Sequence, residues 1–223
     1  MPVSEPGVRG TPAAIIGLLV AFGWVFLFLV PGISAHDLTN ARDDIINTVV
    51  KLSVLLILCV IAFAIRQWRP SELGIRALRW GDVSAAVGAF IIALVVSGAT
   101  SRFVAMPAQF DMHKLAAVRF AVRFGLVLTA AVSEEFLYRG YGIEELAHLT
   151  GNYSIAGLLS LLIFTASHAG LYGFSRSLII PCLVGAVLTG LYLWRRNLPA
   201  CMLMHFLMDG LFLLLVPTLA GAR

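Results

Sequence analysis

Charge is what this sequence has least of. Only 13% of its 223 residues are Asp, Glu, Lys or Arg, about half the share of a soluble domain. With 60% hydrophobic residues and a mean hydropathy of +0.93, that scarcity excludes a soluble globule. It also excludes intrinsic disorder, which needs low hydrophobicity and high net charge. Cysteine is scarce too. Cys59, Cys182 and Cys201 all lie in apolar runs, odd in number and without CxxC spacing, which excludes a disulfide framework and a thiolate zinc site. Three catalytic signatures are missing as well: there is no HExxH zinc helix, no GxSG serine motif with a partner histidine and no GxGD aspartyl motif. No internal repeat, low-complexity linker or domain boundary is visible, so residues 1–223 read as a single integral-membrane domain.

What is present is a series of apolar runs long enough to cross a bilayer, which takes about 20 residues in a helix. Seven spans are expected: Ala13–Val30 (closed by Pro31-Gly32), Ile45–Ile65, Val83–Ser101, Phe120 to Arg139 or beyond, one within Leu149–Ser175, Ser177–Trp194 and Leu198–Val216. An eighth, partial helix is expected around Met112–Arg123. Arg9 before the first run and Ile33-Ser34-Ala35 after it resemble a cleaved signal peptide, but the apolar core is too long for one. The fold class is therefore an all-α polytopic helical bundle. The formal charge of +4 comes from basic residues at the ends of these runs, a topology signal rather than a nucleic-acid surface. Arg66, Arg69, Arg76 and Arg79 follow the second span, and Arg195-Arg196 follow the sixth. Both loops then lie on one side, the cytoplasm by the positive-inside rule, with the N-terminus inside and Asp37, Asp43 and Asp44 outside. Lys51, the one charge in the second span, is expected to snorkel toward a surface.

Ionisable residues inside a span cost about 2.5–3.5 kcal/mol each on insertion scales and mark function by default. Three clusters break the runs. In Glu134-Glu135-Phe-Leu-Tyr-Arg139, Glu135 and Arg139 stand four apart in the order that favours a helical ion pair, which leaves Glu134 unclaimed. Phe164-Thr-Ala-Ser-His168 lies in the fifth span. In His205-Phe-Leu-Met-Asp209, the two ionisable groups share a helix face. A turn at Leu149-Thr150-Gly151-Asn152 brings Glu134 and His168 level, since each lies 17 residues from Gly151, roughly 25 Å along a helix. His205 lies only about 14 Å beyond Arg195-Arg196 by the same rise. The remaining difference of about 10 Å requires the hairpin end, with Glu144, Glu145 and His148, to project into the cytoplasm or the helices to tilt.

Glutamate with histidine can activate water as a general base. A second histidine can donate to the oxyanion formed when water attacks an amide, with Asp209 setting its tautomer or touching substrate. A zinc site of Glu134, His168 and His205 is the alternative, since two histidines and a carboxylate form a catalytic ligand set.

The three motifs, in this order and each in an apolar helix, resemble the CPBP family of intramembrane proteases (CAAX proteases and bacteriocin-processing enzymes, also called Abi or type II CAAX prenyl endopeptidase-like). The likeness covers about residues 115–216. It implies an endopeptidase whose cavity opens to the cytoplasmic side and lipid, in which Glu134 activates water with His168. Glu135, Arg139 and Phe164 would support the site, and His205 and Asp209 would stabilise the oxyanion or position substrate. Aspartate stands where the pattern also takes asparagine. No cofactor is expected to be required, with a divalent metal such as zinc as the alternative. The expected partners are a membrane-anchored protein or peptide substrate and the bilayer itself, in a bacterial inner (plasma) membrane. A proton-coupled transporter using Glu134, His168 and Asp209 as a relay, and a non-catalytic immunity or scaffold protein, are the competing functions.

Overall fold

The computed structural model describes residues 11–23, 41–107 and 110–221. Among these the regular structure is all helical, with no strand: α1 (Thr11–Phe22), α2 (Ala41–Cys59), α3 (Trp80–Thr100), α4 (Met112–Ala117), α5 (Phe120–Glu135), α6 (Glu144–Thr150), α7 (Tyr153–Ser167), α8 (Ala169–Tyr172), α9 (Ile179–Arg195), α10 (Leu198–Asp209) and α11 (Val216–Gly221). Three π-helical stretches, Val60–Ile65, Phe136–Ile143 and Gly210–Leu215, extend α2, α5 and α10. Five of the resulting rods are long and apolar enough to cross a membrane: Thr48–Ile65, Trp80–Thr100, Tyr153–Tyr172, Arg176–Arg195 and Leu198–Ala220. The expected fourth span is a continuous rod, α5 through the π stretch into α6, that carries Arg123, Glu134, Glu135, Arg139, Glu144 and Glu145. The expected first span is described only as far as Gly23. Its remainder to Val30, with Arg9, Pro31-Gly32, Ile33-Ser34-Ala35, Asp37 and the N-terminus, lies outside the described residues. The expected helix at Met112–Arg123 is two pieces, because the chain is extended at Val118 and Arg119 between α4 and α5.

The hairpin turn falls where its sequence places it. Gly151 adopts the left-handed conformation (φ 68°) that ends α6, a backbone shape that glycine takes without steric cost. The Asn152 side chain then accepts the N–H groups of Ser154 and Ile155 to cap α7, satisfying donors that a helix start leaves unpaired.

The two basic loops do share one end of the bundle. Leu198 N–H donates to the Gly74 carbonyl (2.7 Å), and Asn197 and Arg195 both donate to Asp82. The hairpin end does run past the level of Arg196, with Leu149, Thr150, Gly151 and Asn152 exposed, but its two glutamates are not solvated. Glu144 is buried, accepting from Tyr192 (2.6 Å) and Arg196 (2.7 Å). Glu145 is buried against the forked guanidinium of Arg66 (2.8 and 3.0 Å). These pairs remove the depth mismatch. Glu144 is level with Arg196; Glu135 lies nine residues before the one, and His205 nine after the other. The true reference level is therefore Glu144, not the turn at Gly151.

The core is built around the π stretch, every residue of which is buried. It joins Phe22 of α1, Leu58 of α2, Phe164 of α7, Tyr192 of α9 and Met204 of α10 in one apolar cluster. Arg123 is buried at the opposite end of α5 and donates to the Leu213 (2.9 Å) and Leu214 (3.4 Å) carbonyls. It thereby occupies backbone acceptors in the widened turns after Asp209.

Glycine lets α9 pack closely on α7. A Cβ on Gly185 of α9 would sit 2.7 Å from Phe164 Cδ1 and 2.9 Å from Leu161 Cδ1. The Phe164 ring cannot retreat, since it is wedged against Tyr138 and under Arg139. Gly185→Ala is therefore expected to destabilise the protein by about 1–3 kcal/mol, the range for overpacking a filled core. Thermal unfolding in detergent measures it, and an unchanged melting temperature would contradict the packing described.

Candidate active site

Three helices bring the motif residues together. Glu134 and Glu135 occupy the last turn of α5, so their side chains leave the helix about 100° apart. Glu135 faces inward. Its Oε1 accepts from Arg139 Nη1 (2.8 Å) and lies 2.7 Å from His205 Nδ1 on α10. Glu135 is 0% exposed and Arg139 1%. Arg139 also donates to the Gly185 carbonyl (3.1 Å) and lies with its guanidinium carbon 4.3 Å from the centre of the Phe164 ring. The expected i, i+4 pair is thus present, with His205 as an unforeseen third member.

His205 is engaged on both ring nitrogens. Nδ1 meets Glu135, and Nε2 lies 3.3 Å from Asp209 Oδ2, one turn on. A carboxylate only accepts, so each contact is a hydrogen bond only when that nitrogen carries a proton. Asp209, 30% exposed, is the looser partner.

His168 stands where the helix bends, ending α7 and starting α8. Its Nδ1 lies 2.8 Å from the Phe164 carbonyl. A carbonyl also only accepts, so Nδ1 carries the hydrogen and the neutral ring keeps its lone pair on Nε2. The Phe-x-x-x-His spacing now has a physical reading. The Phe164 carbonyl fixes the histidine tautomer, and the Phe164 ring packs against both His168 (centroids 4.4 Å apart) and the Arg139 guanidinium.

Glu134, His168, His205, Asp209 and Phe164 line one cavity of about 360 Å³. Away from these groups its wall is mostly apolar, with Met106, Phe110, Leu171, Met208 and Phe212 beside the polar Ser97, Ser101 and Tyr172. Arg139 and Glu135 do not line it.

Glu134 is not free. Lys51 of α2 ends on its Oε1 at 2.6 Å, and the lysine lines the same cavity. The expectation that Lys51 snorkels to a surface is therefore corrected. The outward faces of α2 are taken by apolar side chains such as Val50, Leu52 and Leu56, while the ammonium finds its counter-charge inside. The signal was available, since a charge within a span is itself a functional mark.

Zinc fits this arrangement poorly. A metal needs ring lone pairs aimed at one point, whereas both nitrogens of His205 face carboxylates and Glu134 faces an ammonium. Among the described residues no group of three or more His, Cys, Asp or Glu side chains is placed to hold a metal ion.

Residues 116–211 match the family model described as type II CAAX prenyl endopeptidase Rce1-like. The family resemblance read from the three motifs holds. The matched segment contains Glu134, Glu135, Arg139, Phe164, His168, His205 and Asp209; Lys51 lies outside it. No curated protein and no solved structure matches the chain.

Proposed function

We propose that this chain is an intramembrane endopeptidase that hydrolyses a peptide bond of a membrane-associated substrate with water activated by Glu134 and His168. The observation that carries this reading is the division of labour between adjacent carboxylates. Glu135 is sealed in with Arg139 and His205, whereas Glu134 lines the cavity together with His168, whose Nδ1 is held by the Phe164 carbonyl. In the proposed reaction Glu134 takes a proton from water while His168 Nε2 accepts the other hydrogen as a hydrogen bond. The hydroxide adds to the carbonyl carbon. His205, leaving the loosely held Asp209, donates Nε2–H to the developing oxyanion. Glu134 then returns its proton to the amide nitrogen, the C–N bond breaks, and the amine departs. No metal enters these steps. The membrane supplies the second substrate constraint: the cavity's apolar wall suits a lipidated or hydrophobic segment. The end carrying the basic loops is assigned to the cytoplasm by the positive-inside rule, with the N-terminus on that side, in a plasma membrane.

The test uses purified protein in lipid nanodiscs and a quenched-fluorescent peptide ending in a prenylated CAAX sequence, with a non-prenylated transmembrane peptide as the second substrate. Mass spectrometry of the products locates the cleaved bond. Cleavage of either peptide is expected to survive exhaustive treatment with a membrane-permeant chelator. Cleavage of neither would remove the endopeptidase reading. Stoichiometric zinc in active protein, with activity lost on its removal and restored by zinc, would replace the metal-free mechanism.

A further inference from the structure

We propose that Lys51 is a positioning residue of this site, holding the Glu134 carboxylate in its working orientation from outside the family segment. The inference rests on the reading of Glu134 as the base. Three observations lead to it. Lys51 comes from α2, which packs along α5, and its side chain is only 18% exposed although the residues around it on α2 present apolar groups outward. Among the described residues its ammonium meets Glu134 Oε1 alone, at 2.6 Å. Glu134 Oε2 makes no hydrogen bond to any described residue, and the side chain retains 12% exposure on the cavity. One oxygen is thus anchored and the other is open to water.

The neighbours cannot do the anchoring instead. Arg139 is committed to Glu135 and the Gly185 carbonyl. Arg123 is committed to carbonyls near Leu213. His205 is held between Glu135 and Asp209, and the Nδ1 of His168 is held by Phe164. Without Lys51 the carboxylate has no hydrogen-bonding cation among the described residues and can rotate away from its productive pose. A reacting group displaced by about 1 Å loses on the order of a hundredfold in rate.

The variant Lys51→Met keeps the length and apolar stem while deleting the charge. With the prenylated peptide, kcat is expected to fall about 10–100-fold while KM stays within about twofold, the signature of an interaction used in the chemical step rather than in binding. Lys51→Arg, which restores a cation of different shape, is expected to recover most of the loss; a merely structural lysine would not show that pattern. A second measurement needs no substrate. The melting temperatures of Lys51→Met, Glu134→Leu and the double variant form a cycle. Each single variant strands a charge, so the double variant is expected to melt above the sum of the single losses. Wild-type kcat in Lys51→Met, or an additive cycle, would overturn the proposal. If Glu134→Leu cleaves at the wild-type rate, the reading of Glu134 as the base fails instead, and a non-additive cycle would then show a purely structural pair.

Discussion

Glu134→Gln is expected to lower kcat about 10²–10⁴-fold, the contribution of a positioned general base, while the protein still inserts and accumulates. Glutamine keeps a carbonyl oxygen that can accept from Lys51, so the 2.6 Å contact changes character without being lost. It also fits the same volume on the cavity wall. What disappears is the ability to take a proton from water. Both partners retain exposure, 18% and 12%, and a pair with access to water loses less on neutralisation than a sealed one. The melting temperature should therefore fall by little compared with the effect on rate. The measurement is single-turnover cleavage of the prenylated peptide, alongside membrane abundance and thermal unfolding. A Glu134→Gln variant with wild-type cleavage would end the assignment. A variant that is inactive because it does not accumulate would show that the carboxylate serves the fold.

The helical class and most span boundaries were legible because apolar runs are bounded by charge and by turn residues. Gly151-Asn152 is the clearest case, where a left-handed glycine and an asparagine cap mark the hairpin turn. The Glu135–Arg139 pair was legible because helical spacing alone sets it. What was not legible depended on partners far along the chain. Glu144 and Glu145 read as a solvated tip, yet they bury against Arg196 and Arg66, 52 and 79 residues away. Lys51 and Glu134 are 83 residues apart, and His205 meets Glu135 across 70. No local pattern encodes such pairings. The π stretch Phe136–Ile143 carried no signal either, because a widened turn is a shift in hydrogen-bond register fitted to neighbouring helices rather than a preference of its residues. It matters to the site, since π turns re-aim side chains and recur at functional positions. Here one begins immediately after Glu135 and another immediately after Asp209.

Glu135→Gln is expected to act on the fold first. Glu135 is 0% exposed, and its Oε1 serves both Arg139 and His205. Neutralising it leaves the Arg139 guanidinium, 1% exposed, in an apolar interior without a counter-charge, facing only neutral acceptors such as the Gly185 carbonyl and the ring of Phe164. Removing one member of a buried pair costs about 3–5 kcal/mol, because the other charge stays buried without compensation. A domain holds about 5–15 kcal/mol in all. The expected result is a marked fall in membrane abundance and melting temperature, with activity per folded molecule reduced through the loosened His205. Replacing the partner as well, in Glu135→Gln/Arg139→Met, removes the stranded charge and should recover part of the stability, as buried pairs exchanged for apolar groups often do. Quantifying inserted protein and its unfolding for the single and double variants decides the matter. If Glu135→Gln accumulates and melts as the wild type does but has lost cleavage, the roles of the two adjacent glutamates must be exchanged.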